Sequence, residues 1–414
     1  GQSLAVARDI GGRYGLFYPE DHLLYESAGW ISSVRFSPNG NQIAFLDHPP
    51  GGDAGAVIVA AADGRTKPNT IAKDFVSVMG LAWKADGSEV WVTGTTSGIA
   101  RYLVAITLSG KQRTVYRVPA TFTIHDLRKD GQALITEDDY RSSTFGGGNG
   151  GPARDLSALD WASPGGLSRD GSLVSFDESG EGGGDKGAVY VRKMDGSPPV
   201  LLGPGASGGI SFDGTLVAGI APDGTSISVY PTGAGKSKTF PLPMIGSRSQ
   251  FADGDKSICF LGVEKGHGPR LTLLDLATGK TRPISDEGVP SLSYTPVSPD
   301  GRSILALSRD RLVVSYSIDG GAPRPINGIE RGDYPAGWSA DGKSIWIYRR
   351  GENPSRVFRI DLADGKRTLW KEISPPDPGG ITGMAPVIVA PNGDSYLYGA
   401  TRILSTLYLV EGLK

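Results

Sequence analysis

Two short polar segments carry the side chains best suited to chemistry. The first, Asp47-His48-Pro49-Pro50-Gly51-Gly52-Asp53, offers an imidazole and carboxylates, and the second, from Asp177 to Asp185, places four carboxylates on a glycine-rich backbone. Oxygen ligands of this kind suit a hard cation such as Ca²⁺, but the spacing departs from that of an EF-hand, and a solvated acidic loop is the alternative. The pattern predicts no metal and no cofactor, and it predicts a set of ligand contacts: His48, Asp53, Asp177, Glu178, Glu181 and Asp185.

Two motifs of catalytic type lack the context that their chemistry needs. Gly205-Ala206-Ser207-Gly208-Gly209 matches G-x-S-x-G, but a nucleophile elbow requires a following helix, and residues 210–214 lead instead into a hairpin turn. Gly233-Ala234-Gly235-Lys236-Ser237 resembles a phosphate loop without its first glycine and without a helix after it. The four histidines are dispersed, so they predict no zinc site. We therefore expect a non-enzymatic chain with no catalytic residue.

Charge and composition limit the partners. The 42 basic and 44 acidic residues give a net charge of −2, which excludes a general basic field for nucleic acid. Cys259 is the one cysteine, so a disulfide framework is excluded. No apolar stretch reaches the ~20 residues that a membrane-spanning helix needs, and we expect no direct membrane insertion. The start, Gly1-Gln2-Ser3, leads us to expect an excised fragment or a processed chain.

Glycine, which supplies 61 of 414 residues, marks the turns between the elements that must position these residues. A short Asx-Gly turn recurs between apolar stretches at steps of 40 to 51 residues. Both central residues of a type I′ turn need positive φ, which Asn and Asp tolerate and glycine accepts freely. The predicted turns are Asn39-Gly40, Asp86-Gly87, Asp130-Gly131, Asp170-Gly171, Asp213-Gly214, Asp253-Gly254, Asp300-Gly301, Asp341-Gly342 and Asn392-Gly393.

Most repeats carry a second turn 19 to 25 residues after the first, as at Asp63-Gly64 and Asp364-Gly365. Two hairpins make four antiparallel strands per repeat, and β-branched and aromatic residues fill these strands. Four-stranded units in tandem predict an all-β fold, a single β-propeller domain over residues 1–414, with nine blades by turn count or eight as the alternative. A solenoid, the competing geometry, would need polar capping repeats.

The ends of the chain suggest how the ring closes. The ninth unit stops after its third strand, residues 407–410, and the segment 1–28 holds a spare strand at residues 22–26. Pairing the two would remove a free sheet edge, so we expect the N-terminal strand to complete the last blade.

The first turns also carry a family resemblance. Ser37-Pro38-Asn39-Gly40 and Ser298-Pro299-Asp300-Gly301 resemble the repeat signature of TolB-like, or WD40-like, propellers. Other segments are similar to the C-terminal propeller region of bacterial eukaryotic-like serine/threonine protein kinases: residues 29–31, 45–49, 178–184, 231–235 and 407–412. This resemblance implies an extracytoplasmic sensor domain of a membrane-anchored kinase, although the chain itself holds neither His-Arg-Asp nor Asp-Phe-Gly.

The predicted binding face follows from the propeller topology. Loops 47–55, 138–154, 177–187, 262–269 and 349–355 would share one face, and loops on a rigid scaffold are common places for binding. We expect a protein or small-molecule ligand on this loop-rich face, in an extracytoplasmic sensor or interaction module. A stand-alone periplasmic TolB-like scaffold and a propeller lyase or glycoside hydrolase with paired carboxylates are the alternatives. Ligand identity and oligomeric state stay open.

Overall fold

The computed structural model describes residues 4–10, 13–49, 52–97, 100–117, 120–148, 150–179, 183–290 and 294–413. They form two compact units, each described by itself: unit 1 comprises Gly1–Asp139 with Leu404–Lys414, and unit 2 comprises Tyr140–Ile403. Apart from the 3₁₀ turn Gly184–Lys186, every described element is a β-strand. The all-β class predicted from the sequence is confirmed. That one domain covers residues 1–414 stays a prediction.

Unit 1 is built from successive antiparallel sheets. The strands of its first sheet are β1 (Val6–Asp9), β2 (Tyr14–Phe17) and β3 (Leu23–Ser27). Those of its second are β4 (Trp30–Phe36), β5 (Gln42–His48), β6 (Gly55–Ala61) and β7 (Asn69–Phe75). Those of its third are β8 (Ser77–Trp83), β9 (Glu89–Thr95), β10 (Tyr102–Thr107) and β11 (Gln112–Tyr116). The next sheet begins with β12 (Phe122–Leu127) and β13 (Ala133–Gly147), whose second half lies in unit 2.

Unit 2 continues with the same architecture. After the short β14 (Arg154–Asp155), which pairs with β13, come β15 (Ala162–Leu167), β16 (Leu173–Glu178), β17 (Ala188–Lys193) and β18 (Val200–Pro204). The following sheet has β19 (Ala206–Ile210), β20 (Leu216–Ile220), β21 (Ser226–Pro231) and β22 (Lys238–Pro241). Next stand β23 (Ile245–Ala252), β24 (Ser257–Val263), β25 (Arg270–Asp275) and β26 (Thr281–Pro283).

The remaining strands complete unit 2. A three-stranded sheet holds β27 (Ser303–Leu307), β28 (Val313–Ser317) and β29 (Arg324–Pro325). It is followed by β30 (Asp333–Trp338), β31 (Ser344–Arg349), β32 (Ser355–Asp361) and β33 (Arg367–Ile373). The last strands are β34 (Ile381–Val389) and β35 (Tyr396–Val410), and β35 lies between β34 and β13.

The sheets of unit 2 form a closed cycle. Consecutive sheets pack through apolar side chains, and Ile388 and Leu397 of the last sheet share a buried cluster with Ala162, Val174 and Phe176 of the first. Six sheets in a cycle are the arrangement of a β-propeller. This geometry confirms the predicted propeller class, whereas the blade number of the whole chain stays a prediction.

The recurring turn is held by its serine. In the turn that ends β30, Ser339 Oγ donates to Asp341 Oδ1 at 2.6 Å and accepts from Ser344 N at 2.9 Å, while Gly342 N donates to Ser339 O at 2.9 Å. Gly342 has a φ of +67°. All nine predicted turn glycines have positive φ, but among their preceding residues only Asp253 does. The predicted type I′ conformation is therefore wrong at the other eight positions, where only the glycine is left-handed.

The expected ring closure is also corrected. The predicted closing strand, residues 22–26, overlaps β3, which pairs with β2 in a separate three-stranded sheet. Residues 407–410 belong to β35, and β35 pairs with β13 instead. The cause is the length of β13: its fifteen residues give β35 a long partner, where the sequence pattern had suggested a loop over residues 138–154.

Candidate functional site

A pocket with a mainly apolar exposed lining lies at the end of the second sheet of unit 1, at the predicted ligand contact His48. Its volume is about 430 Å³. The wall is formed where β3 meets β4, where β5 ends, where β6 begins and where β7 ends. The lining residues are Ser27, Ala28, Gly29, Asp47, His48, Pro49, Gly55, Ala56, Lys73, Asp74 and Phe75.

His48 closes the buried side of this pocket. It is 1% exposed, and its ring stacks on Trp30 with 3.9 Å between centroids. Nδ1 lies 3.0 Å from Ala54 O, so that nitrogen carries the proton, and Nε2 accepts from Ser32 Oγ at 2.8 Å. Burial lowers the pKa of His48, with nearby Asp53 and Asp47 opposing the change. The neutral imidazole holds the loop after β5 in place. Both of its ring nitrogens are already engaged in hydrogen bonds.

The Ser32–His48 hydrogen bond does not make a hydrolytic site. A serine nucleophile needs an accessible base beside it and donors that would hold an oxyanion. Here the imidazole is almost fully buried under Trp30, and a backbone carbonyl occupies the place of a triad carboxylate. The pair positions the pocket wall.

Asp47, a residue of the pocket wall, has one carboxylate oxygen that is buried and unsatisfied within the described residues. Tyr25 donates its hydroxyl to Asp47 Oδ2 at 2.8 Å, and burial followed by this carboxylate raises the pKa of Tyr25. The other oxygen, Oδ1, is buried and has no hydrogen-bond partner among the described residues. A buried acceptor left without a donor costs about 1–3 kcal/mol, so a donor that reaches it is favoured.

The opposite wall is charged because β7 bulges. Gly55 pairs with Phe75 and Val57 with Ala72, so both Lys73 and Asp74 stand opposite Ala56 alone. Asp74 takes a left-handed φ of +66° in this bulge. Lys73 and Asp74 are exposed and give the pocket one charge of each sign. The pocket wall thus holds the buried Asp47 carboxylate and two exposed charges of opposite sign around a mainly apolar lining.

Asp53, the second predicted contact, joins a buried network beside the pocket. Its Oδ2 accepts from Ser77 Oγ at 2.7 Å and from Arg101 at 3.2 Å. Arg101 is 5% exposed and also lies 3.8 Å from Asp138, whose carboxylate accepts from Thr123 at 2.6 Å. The structure therefore places Asp53 in an ion-pair network that links three successive sheets, while its side chain stays 45% exposed. The sequence analysis did not identify Arg101, because no pattern near it in the sequence indicates which residues it contacts.

The predicted acidic loop of unit 2 begins inside a strand. Asp177 and Glu178 are the last residues of β16, so their side chains point to opposite faces of the sheet. Asp177 accepts from Ser207 N at 2.8 Å. Glu178 is fully buried and accepts from the backbone N–H groups of residues 158, 159 and 161. The two carboxylates therefore do not converge on one ligand.

The rest of that segment adds no described ligand set. Glu181 lies outside the described residues, and of Asp185 only the backbone, in the 3₁₀ turn, is described. Across the described ranges, no group of three or more His, Cys, Asp or Glu side chains is arranged to hold a metal ion. Likewise, none of the described helices is long and apolar enough to cross a bilayer.

The serine motif proves to be strand. Ser207 lies within β19 and is buried, and the chain continues as strand to Ile210 before a hairpin turn. Beside it, a Cβ on Gly165 would lie 2.2 Å from Ser207 Oγ, which shows how closely the first strands of adjacent sheets approach. Ser207 therefore has a packing role.

Comparison with solved structures finds distant likenesses. The chain is 19% identical to a protein described as TolB from Agrobacterium tumefaciens, over 64% of this chain and 99% of that one, with a TM-score of 0.46. TolB from Acinetobacter baumannii is 13% identical, over 77% and 80% of the chains, with a TM-score of 0.32. One of two prolyl endopeptidases is 12% identical, over 90% of this chain and 54% of that one, with a TM-score of 0.36.

Other comparisons find nothing. No family model matches the sequence. No curated protein matches it either. With TM-scores below 0.5, the structural likenesses do not indicate a function, and the pocket of unit 1 is the feature from which a function can be inferred.

Proposed function

We propose that this chain is a non-catalytic binding module and that the unit 1 pocket is its ligand site. The observation that carries the proposal is the buried Asp47 Oδ1, which lacks a donor at the wall of a pocket of about 430 Å³. A ligand with an ammonium or hydroxyl group would supply that donor once the Asp47 side chain turns Oδ1 toward the pocket. Lys73 and Asp74 would then contact charged or polar groups at its other end.

The proposed setting is the extracytoplasmic sensor region of a membrane-anchored bacterial serine/threonine kinase. The supporting observation is that two of the segments that resemble this kinase family, residues 29–31 and 45–49, include Gly29, Asp47, His48 and Pro49 of the pocket wall. A stand-alone periplasmic interaction protein is the second candidate. The full coding sequence distinguishes them, since a kinase domain and a membrane span encoded before residue 1 support the first and their absence contradicts it.

Binding is tested with a defined panel of small amines, amino acids and amino sugars. We expect at least one compound to raise the melting temperature, because a ligand that binds only the folded state stabilises it. Trp30, stacked on His48, should also report binding through its fluorescence.

Variants decide whether the pocket is responsible. Lys73→Ala should weaken binding by about tenfold or more, whereas Lys111→Ala, at an exposed lysine immediately before β11, should leave it unchanged. Binding that survives Lys73→Ala and Asp74→Asn unaltered, or a panel without any hit, contradicts the proposed site.

A further inference from the structure

Two opposite charges face the unit 1 pocket from one bulge. Consecutive residues of a regular strand point to opposite faces of the sheet, but the bulge in β7 sets both Lys73 and Asp74 opposite Ala56, and both line the pocket. The two residues are exposed, and among the described residues neither has an ion-pair partner. This wall therefore offers a ligand one cation and one anion side by side.

The third charged residue of the described wall is Asp47, on the side that His48 closes. Burial lowers the pKa of His48, so its imidazole adds no charge at neutral pH. The carboxylates of Asp47 and Asp74 and the ammonium of Lys73 then give the described wall a net charge of −1. A ligand with one excess positive charge is the best electrostatic complement.

The strand order sets how far apart the charged walls lie. Asp47 ends on β5, and Lys73 and Asp74 lie on β7, with β6 paired between the two strands. Neighbouring strands are about 4.8 Å apart, so the backbones of the two walls are roughly 10 Å apart. The exposed lining is mainly apolar. A matching ligand therefore carries polar groups at both ends of an apolar chain.

One class of small molecule meets these conditions together. An α-amino acid holds its ammonium and its carboxylate on one carbon atom, which suits the adjacent Asp74 and Lys73, whose Cα atoms are about 3.8 Å apart. An unbranched alkyl side chain suits the apolar lining, and a terminal ammonium would donate to Asp47 Oδ1 once that side chain turns toward the pocket. A simple amine leaves Lys73 without an anion, and an apolar amino acid leaves Asp47 Oδ1 without a donor.

We propose, on the basis of the binding function proposed above for this pocket, that its ligand is a free α-amino acid with an alkyl side chain that ends in an ammonium group, such as lysine. The ligand carboxylate pairs with Lys73, its α-ammonium with Asp74 and its terminal ammonium with Asp47. The pocket volume of about 430 Å³ lies within the range of small-molecule sites.

Calorimetric titration of the full chain with L-lysine and three analogues tests the proposal. Each analogue lacks one charged group: cadaverine lacks the carboxylate, 6-aminohexanoate lacks the α-ammonium, and L-norleucine lacks the terminal ammonium. We expect L-lysine to bind most tightly and each analogue to bind about tenfold more weakly, because each loses one charged contact.

Variants assign the ligand groups to the wall residues. Lys73→Ala should weaken the binding of L-lysine by about tenfold and leave that of cadaverine unchanged, because cadaverine has no carboxylate. The retained binding of cadaverine also shows that the variant pocket is folded. Asp74→Asn keeps a residue type that tolerates positive φ, and it should weaken the binding of L-lysine but not that of 6-aminohexanoate. Lys111→Ala should bind all four compounds like wild type.

The outcomes separate this ligand assignment from the binding function itself. L-lysine that binds no more tightly than its three analogues overturns the assignment, and so does a loss of affinity in Lys73→Ala that L-lysine and cadaverine share. An amino sugar or simple amine that binds more tightly than L-lysine and depends on Lys73 also overturns it, while the pocket remains a ligand site. A complete lack of binding contradicts both.

Discussion

Replacing Asp177 with Asn should change how the stability of this protein depends on pH. Asp177 is nine-tenths buried at the end of β16, and burial raises the pKa of its carboxyl from 3.8 to about 6, with the hydrogen bond from Ser207 N and the charge of Arg248 opposing the rise. Asn keeps an oxygen for Ser207 N and removes the charge. The substitution therefore isolates the cost of burying the carboxylate.

The sign and size of this stability change follow from the linkage between proton binding and folding. Because the folded-state pKa lies above the unfolded value, the folded protein binds more protons between pH 4 and pH 6, and stability rises as the pH falls through that window. The difference between about 6 and 3.8 corresponds to about 3 kcal/mol at pH 7 and above. We expect Asp177→Asn to be more stable than wild type by about 1–3 kcal/mol at pH 7.5, and the advantage to vanish near pH 4.

Urea unfolding of both proteins at half-unit pH steps from 4 to 8 measures this difference. Asp394→Asn, an exposed carboxylate in the turn before β35, is the control and should follow wild type at every pH. A stability difference between wild type and Asp177→Asn that stays constant with pH refutes the reasoning, because the linked proton would then be absent.

Two further predictions concern hydrogen bonding and backbone strain. Glu178→Gln should lower the free energy of unfolding by about 2 kcal/mol in urea titrations, because an amide N–H₂ would face backbone N–H groups that now donate to the carboxylate. The exposed Glu372→Gln should change the free energy of unfolding by less than about 0.5 kcal/mol. Equal values for the two variants would contradict the buried role of Glu178. Gly301→Ala should lower the free energy of unfolding by about 1–2 kcal/mol more than Gly342→Ala in the same measurement. Both glycines have positive φ, but only a Cβ at position 301 would lie about 3 Å from neighbouring atoms, including Phe212. Similar losses of stability in the two variants would mean that backbone strain alone acts at Gly301.

The repeat architecture could be predicted because its signals are local. Each turn is specified within about six residues, and the glycine marks the one position that must be left-handed. The type I′ assignment failed because the sequence pattern does not show where a serine hydroxyl goes. Once Ser339 Oγ holds Asp341 Oδ1, the aspartate keeps negative φ and only Gly342 turns left-handed.

The site could be predicted only in part, since it depends on residues that are distant in sequence. His48 lies in the pocket wall, but Lys73 and Asp74 come from a bulge in another strand, and a bulge leaves no clear trace in a hairpin repeat. Asp177 and Glu178 resemble a loop in the sequence because two acidic residues precede a glycine run. Glu178 can be buried because three backbone N–H groups donate to its carboxylate.

The pairing of β13 with β35 sets the order in which this chain can be completed during synthesis. Every other pairing among the described strands joins neighbours in the chain, so each hairpin can form soon after it leaves the ribosome. Asp138 and Ser405, which hydrogen-bond at 2.7 Å, are 267 residues apart. Closing so long a loop costs about 3 kcal/mol more chain entropy than closing a ten-residue hairpin. β13 must therefore wait for its partner until the residues of β35, more than 250 positions later, have been translated.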